Sequence, residues 1–555
     1  MKGGVRPAGD DRPAGSVTED HVVEDQSEAA AFLSDPATHG GSPVDRIDTH
    51  GAMVFLAGDR AYKLKRAVAF PYMDFSTLER RHAACRAEVR LNRRTAPEFY
   101  LGVLPIVRGP KGGLRFGRLD DHRADAVDWV VVMRRFEQSS ILDRVARDGE
   151  LTPQLMRELA RVIAAFHQAA EPHRDAAAAR QIRAVVAENF AELAQDPVLF
   201  QPGRLRRLRR LTETALNRVW STLCDRERTG FVRRCHGDLH LRNVCLIDGR
   251  PTLFDAIEFN DAFAVIDVLY DLAFLVMDLD HRGLDALANT LVNEYLGVRH
   301  DYAGLKALPL FLSMRAAVRA KVAVSIAAVQ TDPSAALEWR REARRFFDRA
   351  VAYVDVSAPR LVAIGGLSGT GKSALAHALA PRFRPVPGAV ILRSDVIRKE
   401  LAGVKETTRL AADNYRPPMN RRVYREITRR AGRALDAGYP AIADAVYARP
   451  KQREAIERLA RDRGLRFDGL WLRADPATLI ARVDERGEDA SDATGDVVCR
   501  QLDYDLGRVT WTRIDAGKSL ARVATAAWEC LGQPAPQATP GVATAAGLRA
   551  RSRPR

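Results

Sequence analysis

Cysteine is scarce and scattered. The six thiols (Cys85, Cys224, Cys235, Cys245, Cys499 and Cys530) form no C-x-x-C pair, and no histidine spacing completes a zinc site around them. Isolated thiols and the lack of a secretory-type apolar leader exclude a disulfide scaffold and imply a reduced, cytoplasmic setting. No apolar run approaches the roughly 18 residues of a membrane span, so no membrane partner is expected. Aromatic residues make up only 7% of the chain, and no aromatic-rich basic stripe is evident, which makes a nucleic-acid partner the less expected one. No internal repeat is visible. Acidic residues are outnumbered, giving a formal net charge of +15. The excess arginine is dispersed through helix-like segments and reads as a solvated surface, one that would still steer phosphorylated substrates.

What is present is apolar content of 46% over 555 residues, enough for two or three large cores. Residues 1–20 are Gly, Pro and charge, and residues 532–555 are Ala, Pro, Thr, Gly and Arg; both ends are expected to be disordered. A short helix is expected over 27–33. A hairpin follows over 52–57 and 61–65, turned at Gly58-Asp59. Residues 77–94 have helical spacing, and 101–107 and 129–133 read as buried strands. Helices dominate 152–220 and 266–354, with a hairpin over 244–247 and 252–254 between them. Pro359 marks a break. Strand candidates at 361–364, 389–392, 440–443 and 467–472 then alternate with helices, which predicts a parallel sheet.

Two stretches carry phosphoryl-transfer chemistry. The first is His236-Gly237-Asp238-Leu239-His240-Leu241-Arg242-Asn243, followed by Phe254-Asp255. Phosphoryl transfer needs positioning and charge neutralisation above all. Asp238 would accept or orient the proton of an acceptor hydroxyl. Asn243 would bind Mg²⁺ through its amide oxygen, and Asp255, returned beside it by the hairpin, would bridge Mg²⁺ and the ATP phosphates.

These residues resemble the aminoglycoside phosphotransferase family, a branch of the protein-kinase-like fold that uses H-G-D in its catalytic loop. Thr49-His50-Gly51, Gly58-Asp59-Arg60-Ala61-Tyr62-Lys63, Asp74-Phe75-Ser76-Thr77-Leu78-Glu79, Leu91-Asn92-Arg93-Arg94, Ile257-Glu258-Phe259-Asn260 and 267–275 extend the resemblance over roughly 40–355, toward a subgroup often fused to a P-loop kinase. The resemblance implies an ATP-binding lysine on the third strand and a glutamate on the small lobe's helix. Lys63 is the choice for the first, with Lys65 on the same strand face as its competitor. Glu88 is the choice for the second, with Glu79 behind it. It also implies a hinge at 133–136 that meets adenine and a supporting role for Asp271. No G-x-G-x-x-G occupies the first hairpin.

The second stretch is Gly366-Leu367-Ser368-Gly369-Thr370-Gly371-Lys372-Ser373, a P-loop between a strand and a helix. Its N–H groups would cradle phosphates, Lys372 would meet the β- and γ-phosphates, and Ser373 would ligate Mg²⁺. Asp395 and Arg398, at D-x-x-R after the next strand, share one side of a helix start. Asp395 would take a hydroxyl proton and Arg398 would hold an anion. Asp444 ends a third strand, where an acid orients the Mg²⁺ shell. Arg482 and Arg486, one helical turn apart, would close on the ATP phosphates. Arg449 and Arg453 are weaker candidates for substrate contact. This half is similar to small P-loop kinases of the polynucleotide-kinase, zeta-toxin and gluconate-kinase type over about 360–530; no sensor-arginine pattern of an AAA+ machine is evident.

The expected architecture is therefore an α+β bilobal kinase-like domain over 21–357, then an α/β parallel-sheet P-loop domain over 358–531. The expected function is ATP- and Mg²⁺-dependent phosphotransfer at two sites, each to a hydroxyl of a small molecule. Two rivals stay open: a ligand-sensing lobe pair coupled to a P-loop ATPase switch, and a nucleic-acid end kinase in the C-terminal half.

Overall fold

The computed structural model describes residues 21–532 apart from residues 71, 111, 122, 124, 176, 486 and 488. Residues 1–20, residues 533–555 and Arg486, for which disorder or a phosphate contact was expected, lie outside the described residues. The chain divides into two compact units, one ending at Ser357 and the other starting at Ala358, with Pro385–Pro387 grouped with the first.

The first unit opens with helix α1 (Ser27–Ser34) and strands β1 (Val44–Asp48), β2 (Ala52–Ala57) and β3 (Arg60–Lys65). Helix α2 (Leu78–Asn92) and strands β4 (Tyr100–Arg108), β5 (Leu114–Phe116) and β6 (Ala126–Arg134) follow. The strands form one antiparallel sheet in the order β1-β2-β3-β6-β4-β5. Thr77 caps α2, its side chain accepting from the Arg80 N–H. Because strand side chains alternate, Tyr62 and Leu64 face the cluster that includes α1, while Ala61 faces Cys85 and Val89 of α2. Lys63 and Lys65 share the face of Ala61, and that alternation aims two cations at α2.

A helical lobe follows. Its parts near the site are α3 (Pro153–Ala169), the hairpin β7 (Val244–Ile247) and β8 (Arg250–Leu253), α4 (Val268–His281), α5 (Leu308–Ala328) and α6 (Pro333–Val354). Helix α4 is apolar nearly all round and is buried from Val268 to Met277, as a helix inside a bundle must be.

The second unit alternates: β9 (Arg360–Gly365), α7 (Lys372–Leu379), β10 (Val390–Arg393), α8 (Ser394–Leu401), α9 (Pro417–Asp436), β11 (Ala441–Asp444) and α10 (Pro450–Arg461). Then come β12 (Arg466–Arg473), α11 (Pro476–Asp484), α12 (Gly495–Leu502), β13 (Thr512–Asp515) and α13 (Leu520–Cys530). All five strands are parallel, in the order β10-β11-β9-β12-β13. Strands β9 and β11 are buried over almost their whole length, which explains their unbroken apolar runs. The chain order reverses beside β9, which puts a topological switch point at the P-loop.

Strands β1, β5 and β13 have no counterpart in the sequence reading. All three lie at sheet edges. Charged, half-exposed runs such as Val44–Asp48 and Thr512–Asp515 carry no apolar alternation. No described helix is long and apolar enough to cross a membrane, and all six cysteines are free.

Candidate active sites

In the first unit, Lys63 Nζ donates to Glu88 Oε1 at 2.8 Å and to Asp255 Oδ1 at 2.6 Å. Lys65 is fully buried and pairs with Glu88 and with Glu258. Glu88 thus takes one lysine on each oxygen. Glu79 lies exposed in the first turn of α2 and joins no such cluster. Burial alone would discharge Lys63, but Asp255 and Glu88 outweigh it and hold its pKa well above the ordinary value. Burial likewise works against the Glu88 carboxylate, and Lys63 and Lys65 overcome it, so its pKa falls. The network is a chain of alternating charges from the sheet to the Asp255 segment.

The His236–Asn243 loop is held from below. Asp271, on α4, accepts from the backbone N–H of His236 at 3.0 Å and of Gly237 at 2.9 Å. Asp271 is itself held by His167 Nε2 at 3.1 Å, and His167 Nδ1 lies 2.9 Å from the Tyr295 hydroxyl. His236 Nε2 donates to the Phe254 carbonyl at 2.9 Å, and the Ile257 N–H donates to the His236 carbonyl at 3.0 Å. These bonds lace the loop to the segment after the hairpin. Gly237 has φ +87°, and a Cβ there would meet the Phe263 carbonyl oxygen at 2.8 Å; only glycine satisfies both demands.

Asn243 Nδ2 donates to Asp238 Oδ2 at 2.9 Å and to its carbonyl at 3.0 Å. His240 Nε2 lies 3.3 Å from Asp238 Oδ2. Burial raises the Asp238 pKa, but His240, His236 and Arg319 together push it far below the ordinary carboxylate range. Asp255 has φ +62°, and its N–H donates to the Tyr100 hydroxyl at 3.1 Å. The neighbouring Ala256 N–H donates to Asn92 Oδ1 at 2.8 Å. Asn92 was missed as a site residue; it is fully buried one turn beyond Glu88 and ties α2 to the Asp255 segment. In the hinge at 133–136, the Arg134 and Arg135 N–H groups already donate to the carbonyls of Phe99 and Asp59.

In the second unit, Gly366, Gly369 and Gly371 have φ of +140°, +82° and +81°. A Cβ at Gly369 would lie 2.4 Å from the Leu479 carbonyl oxygen. The loop curls around Lys372, whose Nζ donates to the Leu367 carbonyl at 3.0 Å. Ser368 is locked by Gln501, which accepts from its N–H at 2.8 Å and donates to its hydroxyl at 3.1 Å. Ser373 Oγ donates to Asp444 Oδ2 at 2.5 Å. Arg393, at the end of β10, lies 3.9 Å from the same Asp444 oxygen and 2.7 Å from Asp489.

Asp395 opens α8 beside this cluster. Burial and the negative charge of Asp444 raise its pKa, against the pull of Lys372 and Arg393. Arg398 Nη1 donates to the Asn414 carbonyl at 2.8 Å and its guanidinium lies 4.8 Å from the Tyr415 ring centre. The P-loop, Asp395, Arg398 and Asp444 line one cavity of 2170 Å³. Arg482 is not among its lining residues; its guanidinium donates to the Ala516 carbonyl at 2.8 Å. Arg453 is buried, with both Nη atoms on main-chain carbonyls of residues 447, 448, 506 and 508, which corrects its reading as a substrate contact. Arg449 lines the cavity. So do Arg409 and Arg500, which no motif singled out because neither falls in a recognised pattern.

Both clusters suit a magnesium nucleotide. Asn243 with Asp255, and Ser373 with Asp444, present hard oxygen donors. Each pair stands near one lysine fit for phosphate, and the second lies in a glycine cradle that a Cβ would fill.

The phosphotransferase enzyme family model matches residues 72–308, and an AAA domain model matches residues 361–505. An uncharacterized protein of Mycobacterium tuberculosis is 31% identical over 476 residues, spanning 84% of this chain and 91% of that protein. An uncharacterized protein of Mycobacterium bovis gives the same figures. Among solved structures, a choline/ethanolamine kinase family protein from Mesorhizobium loti is similar at 17% identity, with 59% of this chain and 98% of that one covered and a TM-score of 0.35. A gluconokinase from Sinorhizobium meliloti is similar at 20% identity, with 32% and 93% covered and a TM-score of 0.23.

Proposed function

We propose that this chain, which belongs to the family of those mycobacterial proteins and joins a phosphotransferase-family domain to a P-loop kinase domain, is a bifunctional ATP-dependent phosphotransferase. Each half moves the γ-phosphoryl group of ATP to a hydroxyl, and the first half acts on a small molecule. The observation that carries the reading is the first cluster: Asp238, Asn243 and Asp255 converge beside the Lys63–Glu88 pair. Three residues of one motif and two from a distant strand and helix meet in the arrangement phosphoryl transfer requires.

Asn243 and Asp255 would hold Mg²⁺ in the first site, and Ser373 and Asp444 in the second, where the ion neutralises phosphate charge. Asp238, kept ionised by His240 and His236, orients the acceptor hydroxyl by accepting its hydrogen bond. Lys63, fixed by Glu88, holds phosphate oxygens. In the second site Lys372 and the loop N–H groups hold the phosphates, and Asp395 receives the acceptor proton. Its raised pKa makes it a better base than an exposed carboxylate.

The test is a metabolite-extract screen with γ-labelled ATP, using the whole protein, Asp238→Asn and Lys372→Ala. Two labelled products are expected, one lost in each variant. An extract that yields no labelled product with the whole protein refutes the reading.

A further inference from the structure

Arg319 and Arg315 lie one turn apart on α5 and so share a face of that helix. Arg315 is spent on structure. Its guanidinium lies 3.9 Å from the ring centre of Tyr270 and 4.8 Å from that of Phe274, and its Nε donates to the Tyr270 carbonyl at 3.1 Å. Arg319 has only a ring beneath it, Phe346 of α6, at 5.6 Å. It is half-buried and makes no hydrogen bond or ion pair among the described residues. A guanidinium carries five N–H donors, and withdrawing it from water without an acceptor is costly.

Contacts between side chains place Arg319 beside the His236–Asn243 loop. The Phe274 ring meets that of His240 edge-on at 5.1 Å, and His240 Nε2 lies 3.3 Å from Asp238 Oδ2. Phe346, under Arg319, stacks on His281 at 3.8 Å, at the end of α4. Asp278, Asp238 and Glu342 favour the Arg319 charge, whereas burial and Arg242 oppose it and lower its pKa. Arg319 thus approaches Asp238 from the helical lobe, while Lys63, the phosphate-holding lysine, approaches Asp255 from the small lobe.

The carboxylates around it are already taken. Asp278 accepts from the Leu241 N–H at 3.0 Å and from Arg282 Nε at 2.9 Å. Asp143 is shared by Arg147 at 3.1 Å, Arg242 at 3.5 Å and Arg282. Glu342 is held by His281 at 2.7 Å and by Arg345. Within this cluster Arg147, Arg242, Arg282 and Arg319 therefore face two carboxylates, Asp143 and Asp278. The excess is positive, next to the carboxylate that meets the acceptor hydroxyl. His240 and His236 outweigh Arg319 in keeping Asp238 ionised, so that task does not account for the arginine.

From this geometry we infer that the acceptor of the first half carries an anionic group, a carboxylate or a phosphate ester, which Arg319 holds while the acceptor hydroxyl meets Asp238. The inference rests on the reading of this half as a kinase and names its acceptor class. The planar guanidinium matches either oxyanion with paired N–H donors. The same positive excess disfavours an acceptor that carries an ammonium group.

The experiment uses the full chain with Lys372→Ala, which silences the second site, together with γ-labelled ATP. A metabolite extract is first split on an anion-exchange column at about pH 8, where carboxylates and phosphate esters are ionised. Label is expected on a compound from the retained fraction. Phosphatase treatment of that fraction separates the two sources: lost transfer assigns a phosphate ester, and persistent transfer a carboxylate. Adding Arg319→Gln should raise the amount of fraction needed for half-maximal rate at least about tenfold, the cost of a hydrogen bond to a charged group. The maximal rate, ATP affinity and melting temperature should stay close to those of the parent. Arg319→Lys, which keeps the charge and loses the fork, should fall between, and it decides the matter by the same half-saturation if Arg319→Gln melts early. Transfer only to compounds that pass through the column overturns the inference and leaves the kinase reading standing. No labelled product from any fraction overturns both. Unchanged half-saturation in the arginine variants also overturns the inference, and a lower maximal rate at that same half-saturation would make Arg319 a support for Asp238 alone.

Discussion

Lys63 and Asp255, 192 residues apart in sequence, meet at 2.6 Å. This contact joins the third strand of the small lobe to the segment behind the hairpin of the helical lobe. It sets the distance between a cation suited to phosphate and a carboxylate suited to metal. Glu88 completes the arrangement by holding the lysine from the other side. Lys65 makes a parallel pair of contacts, to Glu88 and Glu258, but wholly inside the protein.

The two lysines should therefore fail differently. Lys63→Met is expected to weaken ATP binding by the first unit while the fold survives, because Glu88 keeps Lys65 and the half-exposed Asp255 carboxylate reaches water. Lys65→Met leaves Glu258 buried with no cation, and losing one partner of a buried pair costs about 3–5 kcal/mol. Chemical denaturation and nucleotide titration of both variants check this. Equal stability losses in the two would mean that the division of labour is wrong.

The ATP sites should bind independently. Isothermal titration of the whole protein is expected to give about two nucleotides per chain, and Lys372→Ala about one, because the two signatures lie on unrelated frames. A single nucleotide per chain, wholly lost in Lys372→Ala, would contradict this.

Asp238→Asn should leave ATP affinity near normal and lower turnover of the first half by roughly 10²–10⁴-fold, the usual span for a positioned base. Asp255→Ala should weaken Mg²⁺–ATP binding itself, since it deletes a metal-holding carboxylate. Turnover on an identified acceptor and nucleotide affinity separate the two effects.

How much of this was legible in sequence depends on the range of the signal. Asp238, Asn243 and Asp255 belong to one local motif, and Gly366–Ser373 to another, so spacing alone identified them. Glu88 and Lys63 needed a family likeness, because a charge on a helix or strand carries no label of its own. Gln501 stayed invisible, and Asn92 stood in a stretch quoted for the likeness but was given no role: each is an ordinary polar residue whose part arises only where the chain folds back on it. Arg319 was read with the other helix arginines as solvated charge because periodicity along α5 does not reveal what faces it. Arg453 looked functional by proximity to Asp444, yet its guanidinium serves four main-chain carbonyls.

Acid should loosen the first unit through His236. Burial dominates there and lowers its pKa below the ordinary 6.5, although Asp271 and Asp238 pull the other way. A depressed pKa means that the unfolded chain binds the proton more readily. The stability contribution is thus whole above about pH 6.5 and is lost as pH falls through the folded value. Unfolding free energy should be flat around neutral pH and decline below it, and His236→Asn should flatten the decline. His50, also lowered chiefly by burial, adds to the same window. A wild-type profile that rises on acidification would refute the sign.

The last expectation separates a kinase from an ATPase switch in the second half. A fragment from about residue 358 to 531 should fold, because its five strands pair only with one another. It should bind Mg²⁺–ATP yet hydrolyse it slowly, since a kinase keeps water from the γ-phosphate until its acceptor arrives. Arg398 and Lys372 line the chamber in which that acceptor would sit, and Asp395 faces the same chamber. A raised Asp395 pKa suits a base that waits for a hydroxyl. The measurement is ATP turnover by the fragment with and without cell extract, in the native form and in Asp395→Ala. Transfer that the extract stimulates and Asp395→Ala abolishes is the expected outcome. Fast turnover in buffer alone, indifferent to Asp395→Ala, would instead make ATP hydrolysis the output and the first unit its sensor.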